Sequence, residues 1–284
     1  TTYLGSVQLP GGSHNHIFPP NGQTVMVLWN EKPTREVVFL GQEVRQFDLW
    51  GHMTEPQSAD YRHVIEVGTL PTFLTGIDES IARWRMALSL ERKQLPSVFG
   101  QPHPNAIAVK NFFPQGVAGD VRLVLSDVFR TYPERMPVML TQGEQVRLPF
   151  EIALPLGASS GKQPVRVDFN ITADRRYRFS VYRQIQIGLG DVVIQLNTRL
   201  NDQGLLIVEQ QTTNNSDDAI NFRFLLYAPQ RRSKRSHVFD LRRGQDLKTY
   251  RFHDGQRLIG KTLWLRAEEM DGPRVFNYRV VAEE

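Results

Sequence analysis

The sequence contains no cysteine among its 284 residues. Without cysteine the chain can form neither a disulfide framework nor a thiolate metal site, and it has no cysteine nucleophile. Its stability must therefore come from packing. The absence suits a bacterial cell-envelope or secreted protein that avoids oxidation chemistry, although many cytosolic proteins would satisfy it equally well.

Long hydrophobic runs and targeting signals are also missing. No stretch approaches about 18 uninterrupted apolar residues, the length at which a membrane-spanning helix is considered, so we expect no membrane span. The chain begins at Thr1 without a methionine and without the charged and apolar segments of a signal peptide. We therefore expect either a piece of a longer polypeptide or a mature N-terminus.

Catalytic motifs are missing as well, because no G-x-S-x-G, P-loop or G-x-G-x-x-G sequence occurs. Adjacent carboxylates occur at Asp217-Asp218 and Glu268-Glu269. On strands such neighbours point to opposite faces, so they cannot converge on one glycosidic bond. We expect no catalytic residue, no bound metal and no cofactor, and thus a chain that is not an enzyme as it stands.

Basic residues are concentrated in one segment. The chain carries a net charge of +4. Between Pro229 and Arg251 there are eight Lys or Arg against two Asp, a local charge of +6 that leaves about −2 for the remainder. Arg231, Arg232 and Arg235 could bind phosphates or acidic glycans, and solvated charges on a long hairpin loop are the alternative. No aromatic residues alternate with them, which argues against nucleic acid.

Period-two alternation dominates the chain and predicts an all-β fold. Val146 to Leu154 alternates along one strand, and residues 165–171 and 176–181 form a hairpin across Thr172 to Arg175. The run from Phe222 to Leu226 repeats the pattern. Helical periodicity competes only after Asp78, a predicted N-cap, where we expect a helical turn at most and then a strand.

Proline and glycine clusters indicate that the chain divides into three β-sandwich domains. Each would have about 100 residues, which is the usual size of a small β-sandwich. Leu95 to Asn105 holds three Pro and one Gly, and Gly188 to Asp191 reads GLGD. The predicted domains are residues 1–94, 95–190 and 191–284. All sheets are expected to be antiparallel, with immunoglobulin-like sandwiches in the second and third domains.

The stretch EVVFLGQEVRQFDLWGH, Glu36 to His52, reads as a β-hairpin turning at Gly41. Its end is predicted to be a polar corner, Asp48 to Gly51, that contains Trp50 and is followed by His52. Aromatic faces can stack on sugar rings, so Trp50, Asp48 and His52 are candidate binding residues. Trp29 and Trp264 lie within apolar strands and are expected to be core.

His14 and His16 are two residues apart in the sequence GGSHNHIF. On a strand this spacing would place both imidazoles on one face, where a third ligand such as His52 or His63 could complete a metal site. A polar loop with ordinary histidines is the interpretation that we favour.

The motifs over residues 14–80 resemble the small β domain that follows the catalytic barrel in many bacterial glycoside hydrolases. The matching segments are VMVLWN, EVVFLGQEVRQFDLWG and HVIEVGTLPTFLTGID, with Asp48 and Gly51 at a corner and Pro71, Phe73 and Gly76 in a late strand. NAIAVKNFFPQGVAGDVRLVLSDVF and MLTQGEQVRLPFEIALPLGASSGKQPVRVDF resemble the immunoglobulin-like domains associated with such enzymes, and GLLIVEQQTTNNSDDAINFRFLLYAP looks like a further one.

The resemblance implies an accessory or spacer region of a secreted carbohydrate-processing protein. One partner would be the catalytic barrel of the same polypeptide, onto which Trp50 would dock. A polysaccharide would be a second partner. The implied location is extracytoplasmic, and no catalytic residue can be carried over because no barrel is present. A free-standing glycan-binding or adhesion module is the alternative, and a hidden hydrolase site is a third reading.

Overall fold

The computed structural model describes residues 3–19, 24–126 and 129–284. Asp127 and Val128, at the end of one of the motifs quoted above, lie outside the described residues. The chain forms three consecutive β-sandwiches, which we call the N-terminal, middle and C-terminal units, so the predicted fold class is confirmed. Among the described residues, no helix is long and apolar enough to cross a membrane.

The N-terminal unit packs two sheets around a core that includes Ile17, Met26, Leu28, Ile65 and Leu74. Its strands are β1 (His14–Phe18), β2 (Thr24–Trp29), β3 (Thr34–Val38), β4 (Arg45–Phe47), β5 (Met53–Thr54), β6 (Gln57–Ala59), β7 (Arg62–Val67) and β8 (Thr72–Ile77). One sheet has the order β1-β2-β8-β4-β5 and the other has the order β3-β7-β6.

The predicted hairpin from Glu36 to His52 is wrong. Strand β3 pairs with β7, whereas β4 pairs with β5 and β8, so the chain crosses from one sheet to the other at Gly41. A Cβ atom on Gly41 would lie 2.7 Å from the carbonyl oxygen of Gly76, which explains the glycine. Alternation predicts the strands but does not distinguish a hairpin from a crossing between sheets.

One helix, α1 (Glu79–Ala87), joins the N-terminal and middle units. The backbone N–H of Ile81 donates to Oδ1 of Asp78 at 3.1 Å, which confirms the predicted N-cap. The prediction of a single turn followed by a strand is wrong, because the helix has nine residues. Ala82 packs into the N-terminal core while Ile81 and Trp84 pack into the middle core, so tertiary contacts stabilise this short helix.

The middle unit has the pairing of an immunoglobulin-like sandwich. Its strands are β9 (Ser89–Leu90), β10 (Gln94–Leu95), β11 (Pro102–Lys110), β12 (Val117–Val124), β13 (Arg130–Tyr132), β14 (Arg135–Leu140), β15 (Gln145–Ala153), β16 (Gly161–Thr172) and β17 (Arg176–Ile187). The sheets run β13-β15-β11-β9 and β10-β17-β16-β12-β14. The expectation that all sheets are antiparallel is wrong at one edge, where the two-residue strand β10 pairs with β17 in parallel. Non-sequential strands are neighbours in both sheets, as in a Greek key. The predicted hairpin across Thr172 to Arg175 is confirmed.

The C-terminal unit is a second immunoglobulin-like sandwich. Its strands are β18 (Val192–Leu200), β19 (Leu206–Asn214), β20 (Ile220–Tyr227), β21 (Lys234–Leu241), β22 (Gly244–Phe252), β23 (Thr262–Glu269) and β24 (Val275–Val281), with a 3-10 helix at Gly255–Leu258. The sheets run β18-β19-β22 and β21-β20-β23-β24. Each unit has its own buried apolar cluster. The boundaries 1–94, 95–190 and 191–284 stay a prediction.

Candidate functional site

The corner predicted at Asp48 is the turn of the β4–β5 hairpin. Oδ1 of Asp48 accepts hydrogen bonds from the backbone N–H groups of Trp50 and His52, both at 2.9 Å. Oδ2 of Asp48 lies 2.9 Å from Nδ1 of His52. Partial desolvation acts to raise the pKa of Asp48, but the hydrogen bonds from His52 and Trp50 outweigh it and lower that pKa. Gly51 follows with φ +84°, a conformation that favours glycine.

Trp50 lies at the tip of this hairpin, and 70% of its surface is exposed. The role of Trp50 in binding or docking stays a prediction. An exposed indole on a turn held by Asp48 could stack on a sugar ring or pack against another domain.

The prediction that Trp29 and Trp264 are core residues is wrong. Both are only half-buried, because Met26 and Leu28 take the inward positions of β2 while Trp29 faces outward. The same alternation on β23 places Trp264 outside. Trp84 is the tryptophan in the core, with 1% of its surface exposed.

The favoured interpretation of a polar loop is wrong, because His14 and His16 lie on the exposed face of strand β1. Their rings pack around Trp29, with centroid distances of 5.6 Å for His14 and 5.1 Å for His16. His63, which was considered as a third metal ligand, has its Nε2 2.7 Å from the carbonyl oxygen of Gly41 instead. Within the described part of the chain, no group of three or more His, Cys, Asp or Glu could hold a metal. This surface is an aromatic cluster.

The basic segment is not one loop. It includes β21 and β22, the edge strands of opposite sheets, so its charges point in different directions. Arg231 lies 3.6 Å from a carboxylate oxygen of Asp254. Arg232 and Arg235 have no carboxylate partner within the described residues, and together with Ser233 and Lys234 they line an open groove of about 430 Å³.

The outer face of the sheet β21-β20-β23-β24 gathers cationic and aromatic side chains, of which the sequence indicates only Arg235 as a binding residue. We call it the arginine face; it comprises Arg223, Leu225, Tyr227, Arg235, His237, Trp264, Arg266, Glu268 and Arg279. The rings of Tyr227 and Trp264 stack at 4.9 Å with an angle of 22°. These residues alternate with the core residues Phe222, Phe224 and Leu226, so the face could be recognised only once the strand pairing is known.

Glu268 is the single carboxylate among the residues of this face. It accepts hydrogen bonds from Nε of Arg266 at 2.6 Å and from Nε of Arg223 at 3.1 Å. The hydrogen bonds from Arg223 and Arg266 lower the pKa of Glu268, so it is ionised at neutral pH. The suggested neighbour Glu269 binds Arg274 instead. The two carboxylates have separate partners and do not form a catalytic pair.

Asn277 fills the joint between the middle and C-terminal units and is fully buried. Its Nδ2 donates to the carbonyl oxygens of Leu156 and Ala158, both at 3.0 Å. Its backbone N–H donates to Oγ of Ser160 at 3.0 Å, and its carbonyl accepts from the backbone N–H of Ser160 at 2.8 Å. Oδ1 of Asn277 accepts a hydrogen bond from Nε1 of Trp264 at 3.2 Å, so every polar group of Asn277 has a partner.

The joint between the N-terminal and middle units contains one buried arginine, Arg85, and one half-buried arginine, Arg183. Nη2 of Arg85 donates to the carbonyl oxygen of Phe39 at 2.8 Å, but Nε and Nη1 of Arg85 have no partner within the described residues. Burial lowers the pKa of Arg85 to about 10. Arg183 donates to the carbonyl oxygens of Leu88 at 2.9 Å, Tyr182 at 2.7 Å and Arg85.

No family model matches this sequence, and no curated protein does. Red sea bream transglutaminase is 14% identical with a TM-score of 0.30, and the match covers 70% of this chain and 31% of that one. A DUF4785 family protein of Legionella pneumophila is 10% identical with a TM-score of 0.29, over 95% of this chain and 84% of that one. Salmonella alpha-2-macroglobulin is 9% identical with a TM-score of 0.30, and the match covers 98% of this chain and 24% of that one. At these TM-scores the similarities carry no functional inference.

Proposed function

We propose that this chain is a stiff, non-catalytic accessory region of an extracytoplasmic carbohydrate-processing protein, where it positions a neighbouring catalytic domain. The carbohydrate setting and the location rest on the resemblance of the sequence motifs alone. The observation that carries the mechanical part is the fully bonded Asn277 in the joint between the middle and C-terminal units.

A joint of this kind favours one angle between the two units. Opening it would expose or orphan the carbonyl groups of Leu156 and Ala158, and each buried hydrogen bond that is lost costs about 1 kcal/mol. Units joined by a flexible linker would lack such contacts and would move independently. The N-terminal joint has a comparable constraint, because α1 contributes side chains to the cores on both sides of it.

Spin-label distances test the stiffness directly. Since the chain has no cysteine, Glu55→Cys and Lys261→Cys provide one label in the N-terminal unit and one in the C-terminal unit. We expect a single narrow distance distribution, which Asn277→Ala broadens. Asn197→Ala, an exposed change in the C-terminal unit, is the matched control and leaves the width unchanged. A broad distribution in the labelled chain without Asn277→Ala would overturn the proposal.

The accessory role has a separate test. Reading the gene upstream of Thr1 should reveal coding sequence for a catalytic domain. A start codon there, alone or with only a signal peptide, would contradict the accessory role and leave the stiffness result untouched.

A free-standing glycan-binding module is the second candidate, favoured by the exposure of Trp50. A glycan array probed with the chain and with Trp50→Ala distinguishes the two, because a pure spacer binds no sugar.

A further inference from the structure

The arginine face carries positive charge that the described residues do not balance. Of its four arginines, Arg223 and Arg266 share the one carboxylate of Glu268. Arg279 donates to neutral oxygens, Oγ of Ser159 at 2.7 Å and the carbonyl of Gly157 at 3.3 Å. Arg235 is exposed and has no partner among the described residues. The face therefore has an excess of three positive charges.

We infer that the arginine face binds a linear acidic polysaccharide, whose carboxylate or sulfate groups are held by Arg235 and its neighbours. Guanidinium groups suit this ligand because their N–H donors match the oxygens of a carboxylate or sulfate in bidentate pairs. The half-buried pair Tyr227 and Trp264 provides apolar surface against which a sugar ring can pack. The inference does not depend on the spacer role.

The spacing along the sheet suits an extended polymer. Arg235 on β21 and Arg266 on β23 are both register partners of Leu225 on β20, so their backbones are two strands, or roughly 10 Å, apart. Tyr227 lies two residues along β20 from Leu225, which is about 7 Å. Sites for small molecules are enclosed and concave, whereas this face is exposed along β21, where Arg235 and His237 lie, and is covered by the middle unit only along β24, where Asn277 is buried. At one end the face continues into the groove beside Arg232.

The charge distribution favours a polysaccharide over nucleic acid. Nucleic-acid binding proteins carry an extended basic surface that follows many phosphates. Here the arginine face has an excess of only three positive charges, and the whole chain has a net charge of only +4.

Titration calorimetry with the whole chain at low salt tests the inference. Polygalacturonate supplies carboxylates, heparin supplies sulfates, and dextran is the neutral control. We expect binding to at least one of the acidic polymers, weakening as salt is raised, and none to dextran. Comparing the two acidic polymers identifies which anionic group the arginines prefer. A single-stranded oligonucleotide is the competing ligand, and tighter binding to it than to both acidic polymers would overturn the inference.

Variants locate the site on the arginine face. Arg235→Gln should weaken binding about three- to tenfold, which is the range expected when a single charged contact at a partly exposed site is lost. Arg235→Glu should weaken binding further. Arg251→Gln removes the same charge from an exposed position on β22 in the opposite sheet and should change nothing. Equal losses for Arg235→Gln and Arg251→Gln, or no binding to either acidic polymer, would contradict the inference. Thermal melts confirm that each variant is folded.

Discussion

Nε1 of Trp264 donates a hydrogen bond to Oδ1 of Asn277 at 3.2 Å, so one residue of the arginine face is held by the residue that fills the joint. In the side-chain amide of Asn277, Nδ2 donates to carbonyl oxygens of the middle unit, and Oδ1 accepts from Trp264 of the C-terminal unit. The face and the joint therefore share one hydrogen-bond network. This relationship makes the angle between the units and the position of the indole depend on the same side chain.

Asn277→Ala should lower the free energy of unfolding by about 2–3 kcal/mol, because the side chain makes three hydrogen bonds, one buried and two part-buried, whose partners would lose them. Calorimetry should also resolve separate transitions for the middle and C-terminal units, which the joint otherwise couples. Asn197→Ala is again the control and should leave the melting profile unchanged. A variant that unfolds like the unmodified chain would show that the joint contributes little to stability.

Buried Arg85 and half-buried Arg183, in the other joint, should respond in opposite ways to loss of charge. Arg85→Met should stabilise the chain by about 1–3 kcal/mol, because a buried cation with no carboxylate partner is replaced by an apolar side chain of similar length. Arg183→Met should destabilise it, since three carbonyl groups lose their donor. Urea denaturation at pH 7 measures both.

Arg85 also predicts a dependence of the free energy of unfolding on pH, with a definite sign. Burial lowers the pKa of Arg85 to about 10 in the folded chain, below its value in the unfolded chain, so above about pH 10 the unfolded state binds more protons. The stability contributed by Arg85 therefore rises as the pH increases above about 10. The advantage of Arg85→Met over the unmodified chain should shrink across that range. An advantage that is constant with pH would mean that burial does not affect this guanidinium.

Tyr278 should act in the opposite direction at alkaline pH. Burial raises the pKa of Tyr278 from 10.0 to about 12, so the folded state keeps a proton that the unfolded state loses. Stability is fully present below pH 10 and falls as the pH rises towards 12, by roughly 2–3 kcal/mol from this residue. Tyr278→Phe should reduce the alkaline loss of stability, measured by urea denaturation at pH 8 and pH 11.5. Tyr132→Phe, at a residue that is 78% exposed, is the control and should leave the loss unchanged.

Alternation along the chain was enough to predict the strands, because the inward and outward positions of a strand differ in polarity wherever one face is buried. It predicted β15 and the β16–β17 hairpin correctly. It could not predict that β3 pairs with β7, since pairing depends on which edges meet in three dimensions. The helix α1 was underestimated because its stability comes from packing between two units, which no local pattern contains.

The candidate site was predicted less well than the fold, for a related reason. Arg235 was recognised by its place in a basic segment, but Arg223, Arg266 and Arg279 lie on other strands and join it only through the sheet register. Trp264 was misplaced because an apolar strand with a tryptophan suggests burial, while the alternation with Leu263 and Leu265 points it outward. A surface built across several strands is invisible until their pairing is known.

Two tryptophans give a direct contrast between a surface role and a core role. Trp50→Ala should leave the free energy of unfolding unchanged within error, because Trp50 is 70% exposed and Asp48 holds the turn without its side chain. Trp84→Ala should cost about 3–5 kcal/mol, because it empties the position that packs on Phe113, Phe169 and Phe179. Urea denaturation of both variants measures the contrast. If Trp50 docks onto a neighbouring domain, Trp50→Ala should weaken that contact in the full-length polypeptide alone. A large loss of stability in the isolated chain would instead make Trp50 part of its own fold.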